Sequence, residues 1–227
     1  MDVPPFEILY EDQDLIAVNK PAGMPTMGVG DDRRTVIGLL RLFLEQREKA
    51  QASPFLGVVS RLDTPVTGLL VFAKSRQAAA SLCKQFRERK VDKRYWAIIE
   101  RKPEPSFGTW RDWLVLDRRH RKVKRGSPDD PVAVEAITRY ESLGPVGRWY
   151  LVELSPLTGR KHQLRWQLSL HGHPVLGDRK YGSQVDFPVG IALHARRLQF
   201  SHPRTGKRIV ISAPVPPVWR RLGVKDE

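Results

Sequence analysis

One cysteine, Cys83, stands in 227 residues, so the chain can close no internal disulfide and offers no Cys-x-x-Cys pair for metal or redox chemistry. That scarcity fits a reducing interior, most simply a bacterial-type cytoplasm, and Cys83 reads as a small core residue. No apolar run approaches a membrane span. The start, "MDVPPFEILYEDQD", is acidic, whereas a secretory signal would be basic and then apolar. The motifs GxxxxGK[ST], GxGxxG and GxSxG are missing, which removes the common nucleotide-binding and hydrolase signatures. Repeats, heptads and low-complexity tracts are missing too. Acidic charge is short: 25 Asp and Glu face 39 Lys and Arg, a formal +14 with a pI near 10.3.

That surplus attracts polyanions at long range, and phosphate contacts supply most non-specific nucleic-acid affinity. Clustering argues against a merely soluble basic protein. The stretch "RRHRKVKR" holds Arg118, Arg119, Arg121, Lys122, Lys124 and Arg125 and no acid, and "KQFRERKVDKR" (84–94) is a second cluster. A membrane surface would accept the same charge, but no basic amphipathic helix with exposed Trp or Phe is evident. Nucleic acid is the better partner, although a solvated hairpin is the plain alternative for 118–125.

The hydrophobic share of 41% and the length suit one sizeable core, so one domain over 1–227 is expected. "DLIAVNKPAGMP" predicts a strand ending at a turn. Val36, Leu39, Leu40, Phe43 and Leu44 keep the spacing of an amphipathic helix capped by Thr35, and Ala79, Leu82, Cys83 and Phe86 repeat it after Ser75. "KRYWAIIE" predicts a strand with Tyr95, Ala97 and Ile99 on one face. Residues 101–133 read as short strands and loops. "VEAITRYESL" and "RWYLVELSP" predict a strand pair, "TGRKHQLRWQLSLHG" a helix stopped by Gly172, and 196–214 two more strands. Strands and helices mix without strict alternation, so the fold class is α+β with a central mixed, largely antiparallel sheet flanked by helices and loops.

In "GVVSRLDTPVTGLLVFAKS" (57–75), Arg61 and Asp63 interrupt two apolar runs that read as buried strands. Burying charge is expensive. Asp63 is therefore an ion-paired or turn aspartate, or a reactive carboxylate at the floor of a cleft. Tyr95 leaves a basic cluster onto a strand. "TGRKHQLR" presents Arg160, His162 and Arg165, the last two three apart on one helix face. "GDRKYG" (177–182) is a Gly-bounded turn. "HGHP" with Asp178 hints at metal, but His171 and His173 at a helix end are explained more simply by capping, so no metal site is assigned.

Taken in order, "ILYEDQDLIAVNKPAGMP", "SRLDTPVTG", "KRYWA", "LTGRKHQLR", "HGHPVLGDRKYG" and "LHARRLQFSHPRTG" resemble the RluA-type RNA pseudouridine synthases over about residues 7–212. The resemblance implies that a uridine in structured RNA, transfer or large-subunit ribosomal, is isomerised. The bond from uracil nitrogen to ribose breaks, the base turns and a carbon–carbon bond forms. Nothing enters or leaves, so no cofactor is required. It further implies Asp63 as catalytic carboxylate, Tyr95 as the ring against the base and proton acceptor, and Arg165 as the cation keeping Asp63 ionised. Arg61 would fill the space left by the flipped base, while Arg160, His162 and the 118–125 stretch would bind RNA. No obligate protein partner is implied, and a monomer is expected.

This chain departs from the family pattern in three places. Ser60 stands where a His precedes Arg-Leu-Asp, Val66-Thr67-Gly68 replaces Thr-Ser-Gly, and Trp166 follows Arg165 in place of a smaller aliphatic residue. The small N-terminal RNA-binding domain of many relatives has no counterpart in the few residues ahead of the match. Two rivals stand beside the synthase: an RNA-binding protein that keeps the fold without turnover, and a carboxylate-dependent base-removing enzyme, which would want a second acid.

Overall fold

In chain order the elements begin with β1 (Ile8–Glu11), β2 (Leu15–Lys20), α1 (Val36–Glu48), β3 (Gly57–Val58), β4 (Thr67–Ala73), α2 (Arg76–Arg87) and β5 (Asp92–Ile99). They continue with β6 (Phe107–Asp117), β7 (Lys122–Arg125), β8 (Val134–Val146), β9 (Trp149–Pro156), α3 (Gln163–Leu170), β10 (Leu193–Ser201), β11 (Arg208–Ser212) and α4 (Pro217–Arg221). The computed structural model describes residues 4–28, 34–48 and 53–226. They divide into two compact units: Met1–Asp92 with Ala195–Pro214, and Lys93–His194 with Val215–Glu227. Among the described residues no helix is long and apolar enough to cross a membrane.

The first unit is built on β4, whose seven residues are all buried, as a continuous apolar run requires. Its neighbours follow the order β1-β2-β4-β10, with β11 on β10 and β3 on the far end of β4. Alternation then divides the core. Leu69, Val71 and Ala73 join Leu15 and Ala17 against Ala78 and Leu82 of α2, while Leu70 and Phe72 join Ile16 and Val18 against Val36, Ile37, Leu40 and Leu44 of α1. Both caps expected from the sequence form. The Thr35 hydroxyl accepts from Gly38 N–H at 3.1 Å, and Ser75 does the same for Ala78 at 3.1 Å. Gly68 has φ +110, and a Cβ there would lie 2.4 Å from the Ala195 carbonyl oxygen, so glycine is retained although its neighbours depart from the family pattern.

The second unit orders its strands β5-β9-β8-β6-β7, every described pairing antiparallel. A bulge between Ser142 and Gly144 bends β8, with Gly144 at φ +118. Trp166 packs from α3 against Leu114, Val123, Ala136 and Tyr181, so its greater bulk than the usual aliphatic residue fills the space between helix and sheet.

Four expectations need correction. The second apolar run of 57–75 is β4, but the first keeps only Gly57 and Val58 as strand, so Arg61 and Asp63 lie on an irregular segment. The helix expected over 158–172 begins at Gln163, because His162 adopts a left-handed φ of 53° and Thr158 and Arg160 form a turn before it. His162 and Arg165 therefore do not share a helix face. Residues 101–133 hold an eleven-residue strand, β6, as well as the short β7, so only part of the region consists of short strands and loops. Cys83 is exposed, since the buried stripe of α2 is narrow and runs through Ala78 and Leu82. Replacing Cys83 by Ser should therefore change stability by less than about 0.5 kcal/mol, whereas Leu82→Ala should cost about 2–5 kcal/mol. Urea midpoints of the two variants check this, and equal losses would return Cys83 to the core.

Candidate active site

In the first unit, the segment from Val59 to Val66 lies outside any strand, yet five of its backbone polar groups are tied down. The Thr26 hydroxyl accepts from Leu62 N–H at 3.1 Å and donates to Leu62 C=O at 3.0 Å. The Thr64 carbonyl receives Gly23 N–H at 2.9 Å and the Lys20 ammonium at 3.1 Å, and Val66 N–H closes the turn on Asp63 C=O at 3.0 Å. Leu62 packs against the α1 side of the core, leaving Arg61 exposed and Asp63 half-buried on either side of it.

Lys20 is fully buried, and its three N–H groups each meet a carbonyl: Pro21 at 2.8 Å, Met24 at 2.7 Å and Thr64. Burial pulls its ammonium down to about 8, and the charge of Asp63 opposes that fall. The turn bearing the candidate carboxylate is thus pinned by a buried cation whose electrostatic partner is that same carboxylate.

In the second unit the candidate cation is equally constrained. Arg165 is 5% exposed; its Nε and Nη2 donate to Asp178 at 2.7 and 2.8 Å, a bidentate pair with a carboxylate 1% exposed. The guanidinium also lies 5.1 Å from the centre of the Tyr181 ring. The Tyr181 hydroxyl accepts from Val123 N–H at 3.0 Å and meets His162 Nδ1 at 2.7 Å. One turn, Asp178 to Tyr181, therefore sets both the edge and the face of Arg165. Bound this way, Asp178 is poorly placed to serve as the second acid of a base-removing enzyme.

Behind Arg165 runs a fully buried amide chain. Gln163 Oε1 accepts from Thr158 at 2.8 Å and from Arg160 N–H at 2.9 Å, while its Nε2 donates to Thr138 at 2.9 Å and to Ile137 C=O at 3.1 Å. Thr138 donates to Gln167 at 2.7 Å, and Gln167 donates to Asp112 at 2.7 Å. This explains where α3 begins: Gln163 captures the turn before it. Tyr95 faces away from Trp96 on β5. Trp96 and Arg94 share Glu153, at 3.2 and 2.8 Å, which fixes the strand's other face.

The expected RNA contacts lie at several places. Arg118, Arg119, Arg121, Lys122, Lys124 and Arg125 are all exposed around the β6–β7 hairpin, with buried Val123 between the two lysines. Arg160 is exposed and donates through Nε to Glu135 C=O at 3.0 Å. His162 spends its Nδ1 on Tyr181. The metal reading of "HGHP" with Asp178 does not assemble: His171 stacks on Trp110 at 4.6 Å and bonds Asp112, while Asp178 serves Arg165. Among the described residues, Asp12, Asp14 and His202 have metal-like spacing. However, His202 Nδ1 accepts from the N–H groups of Arg204 and Thr205, both at 3.2 Å, so Nε2 carries the proton it donates to Asp12. That cluster is a hydrogen-bonded brace.

Sequence reasoning missed Thr26, Lys20 and the Gln163–Thr138–Gln167 chain. It noticed the turn bearing Asp178 without identifying its partner. Thirteen residues separate Asp178 from Arg165, and 36 separate Thr26 from Leu62, so no periodicity links them.

Residues 14–170 match the family model described as RNA pseudouridylate synthase. The tRNA pseudouridine synthase C of Haemophilus ducreyi is 35% identical over 240 residues, covering 96% of this chain and 94% of its own length. That of Pasteurella multocida is 36% identical over 237 residues, with the same coverage. Among solved structures, human RNA pseudouridylate synthase domain containing 4 superposes with a TM-score of 0.79 at 28% identity, covering 95% of this chain and 90% of its own.

Stability should report the state of Lys20. The folded protein releases its proton at about 8 and the unfolded chain near 10.5, so between those values the unfolded state binds more protons and stability rises with pH. The unfolding free energy of the parent minus that of Lys20→Met should climb by about 1.4 kcal/mol per pH unit across this window, roughly 3 kcal/mol in all. A flat difference from pH 8 to 10.5 would show that Lys20 is not desolvated.

Proposed function

This chain belongs to the RNA pseudouridylate synthase family and isomerises uridine to pseudouridine in RNA; we propose that transfer RNA is its substrate class and that Asp63, Tyr95 and Arg165 carry the chemistry. The observation behind this reading is the near full-length match to relatives named for transfer RNA, which covers 96% of this chain. Ribosomal RNA is the competing target, decided by mapping pseudouridine in both RNA classes from a deletion strain.

In the proposed mechanism residues 1–227 act as one catalytic domain on a single flipped uridine. Asp63, at a turn pinned from two sides, supplies the carboxylate that engages the sugar or base as the glycosidic bond breaks. Arg165 supplies the positive charge of the proposed site, and Asp178 holds its guanidinium through Nε and Nη2. Tyr95 lies against the base and accepts the proton from the carbon that joins the ribose. Arg61, exposed two residues before Asp63, occupies the space the base leaves. Arg160, His162 and the β6–β7 hairpin contact the RNA. Its single cysteine supports a reducing, cytoplasmic setting, and the proposed working unit is a monomer.

Asp63→Asn should abolish tritium release from RNA labelled at uracil C5 while RNA affinity stays within a few-fold, because the near-isosteric amide cannot act as the nucleophile. Tyr95→Phe keeps the ring and should bind normally but form little product. Turnover by Asp63→Asn would overturn the assignment, and free uracil from the parent would support base removal instead.

The hairpin generates a separate expectation. Each phosphate contact contributes about 0.7–0.9 to the slope of log affinity against log salt. Changing Arg119, Lys122 and Lys124 together to Gln should flatten the slope by roughly two units and weaken many RNAs alike, with turnover at saturation little changed. Filter binding across a salt series tests it; an unchanged slope would make the hairpin a solvated loop.

A further inference from the structure

The segment carrying Arg61 and Asp63 lies outside any strand, yet in this reading it must hold a carboxylate in a fixed direction. A strand would do this through ladder hydrogen bonds on both sides of each residue. Here β3 ends at Val58, and the two main-chain groups of Leu62 find their partner in one side chain: Thr26 Oγ1 accepts from Leu62 N–H at 3.1 Å and donates to Leu62 C=O at 3.0 Å.

The N–H of Leu62 belongs to the peptide unit shared with Arg61, and its C=O belongs to the unit shared with Asp63. A single hydroxyl therefore orients both peptide planes that lead to the two functional side chains. Thr26 is itself fixed. It is 3% exposed, and its carbonyl accepts from Ile37 N–H at 3.2 Å in the first turn of α1, next to the bond from Val36 N–H to Pro25 C=O at 3.0 Å. Leu62 packs on the same α1 face. Helix, Thr26 and Leu62 form one rigid connection that ends at Asp63. Threonine suits the position because its methyl and hydroxyl branch from one stiff Cβ, so χ1 is fixed while the oxygen makes both bonds.

We infer that Thr26 is a positioning residue for this enzyme: by clamping the main chain of Leu62 it sets the directions of Asp63 and Arg61. The inference rests on the reading of Asp63 as the catalytic carboxylate. It differs from the pinning of Thr64 by Lys20, which holds the far side of the same turn. Small displacements of a catalytic group reduce rate far more than binding, so the loss of this clamp should appear in kcat.

The test compares Thr26→Val, which keeps the shape and removes the hydroxyl, with Thr26→Ser, which keeps the hydroxyl. Single-turnover rate at saturating RNA and RNA affinity are measured for each. Leu82→Ala, on the opposite core face, serves as a variant of reduced stability with the clamp intact, and Asp63→Asn as a variant without the carboxylate. Thr26→Val should lose about 10–100-fold in rate with affinity within about threefold. Thr26→Ser should recover to within about threefold of the parent, and Leu82→Ala should keep its rate below its melting range. A parental rate in Thr26→Val, or an equal loss in Thr26→Ser, overturns the clamp. Should Thr26→Val fail to fold, Thr26→Ser and Thr26→Ala decide instead: equal rates in those two overturn it, and a slower Ala variant upholds it. Turnover by Asp63→Asn would instead defeat the underlying reading of Asp63, whatever the Thr26 variants do.

Discussion

A cation taken out of water must find partners for its N–H groups, and in this protein that constraint organises the surroundings of the candidate functional residues in each unit. Lys20 in the first unit and Arg165 in the second are almost entirely buried. Lys20 answers the demand with three backbone carbonyls, which forces the chain after β2 to curl around its ammonium and brings Thr64 to it. Arg165 answers it with a bidentate carboxylate and an aromatic face, which forces the Asp178–Tyr181 turn to lie against α3. Removing either partner would leave an uncompensated charge in the interior, so each cation fixes the loop around it.

The same logic explains why irregular backbone is tolerated beside the chemistry. Regular strands satisfy their polar groups through neighbours and present side chains at a fixed pleat. The Val59–Val66 segment and the turn before α3 depart from that geometry, and each departure is covered by a side chain: Thr26 and Lys20 for the first, Gln163 and Thr158 for the second. His162 sits at a left-handed φ of 53°, a conformation uncommon outside glycine, and the Tyr181 hydroxyl helps to hold it there.

The second unit also divides its labour across one strand. On β7, Val123 turns inward to the cluster with Trp166 and Tyr181, while Lys122 and Lys124 turn to solvent. The alternation that anchors the hairpin thus displays its charge, and the peptide N–H of Val123 reaches the same tyrosine that faces Arg165. The net charge of +14 is a property of the whole chain, but its presentation here follows from strand geometry.

Residue order alone determined the α+β class, the two capped helices, the buried run of β4 and the strand pair β8–β9, because each rests on local periodicity or a cap within three residues. It also put forward Asp63, Tyr95 and Arg165 through the family resemblance of its ordered motifs, and it holds the excess of positive charge that points to nucleic acid. Tertiary structure alone decided that Arg61 and Asp63 leave the strand, that α3 starts at Gln163, that Cys83 faces solvent and that Asp178 holds Arg165. The departure of Arg61 and Asp63 from the strand and the hold on Arg165 depend on hydrogen bonds between residues 13 to 44 positions apart, such as Arg165 with Asp178 and Lys20 with Thr64. A single side chain there outweighs local propensity, since an unpaired buried polar group costs about 1–3 kcal/mol, more than most intrinsic preferences for helix or strand, which are below about 1 kcal/mol per residue.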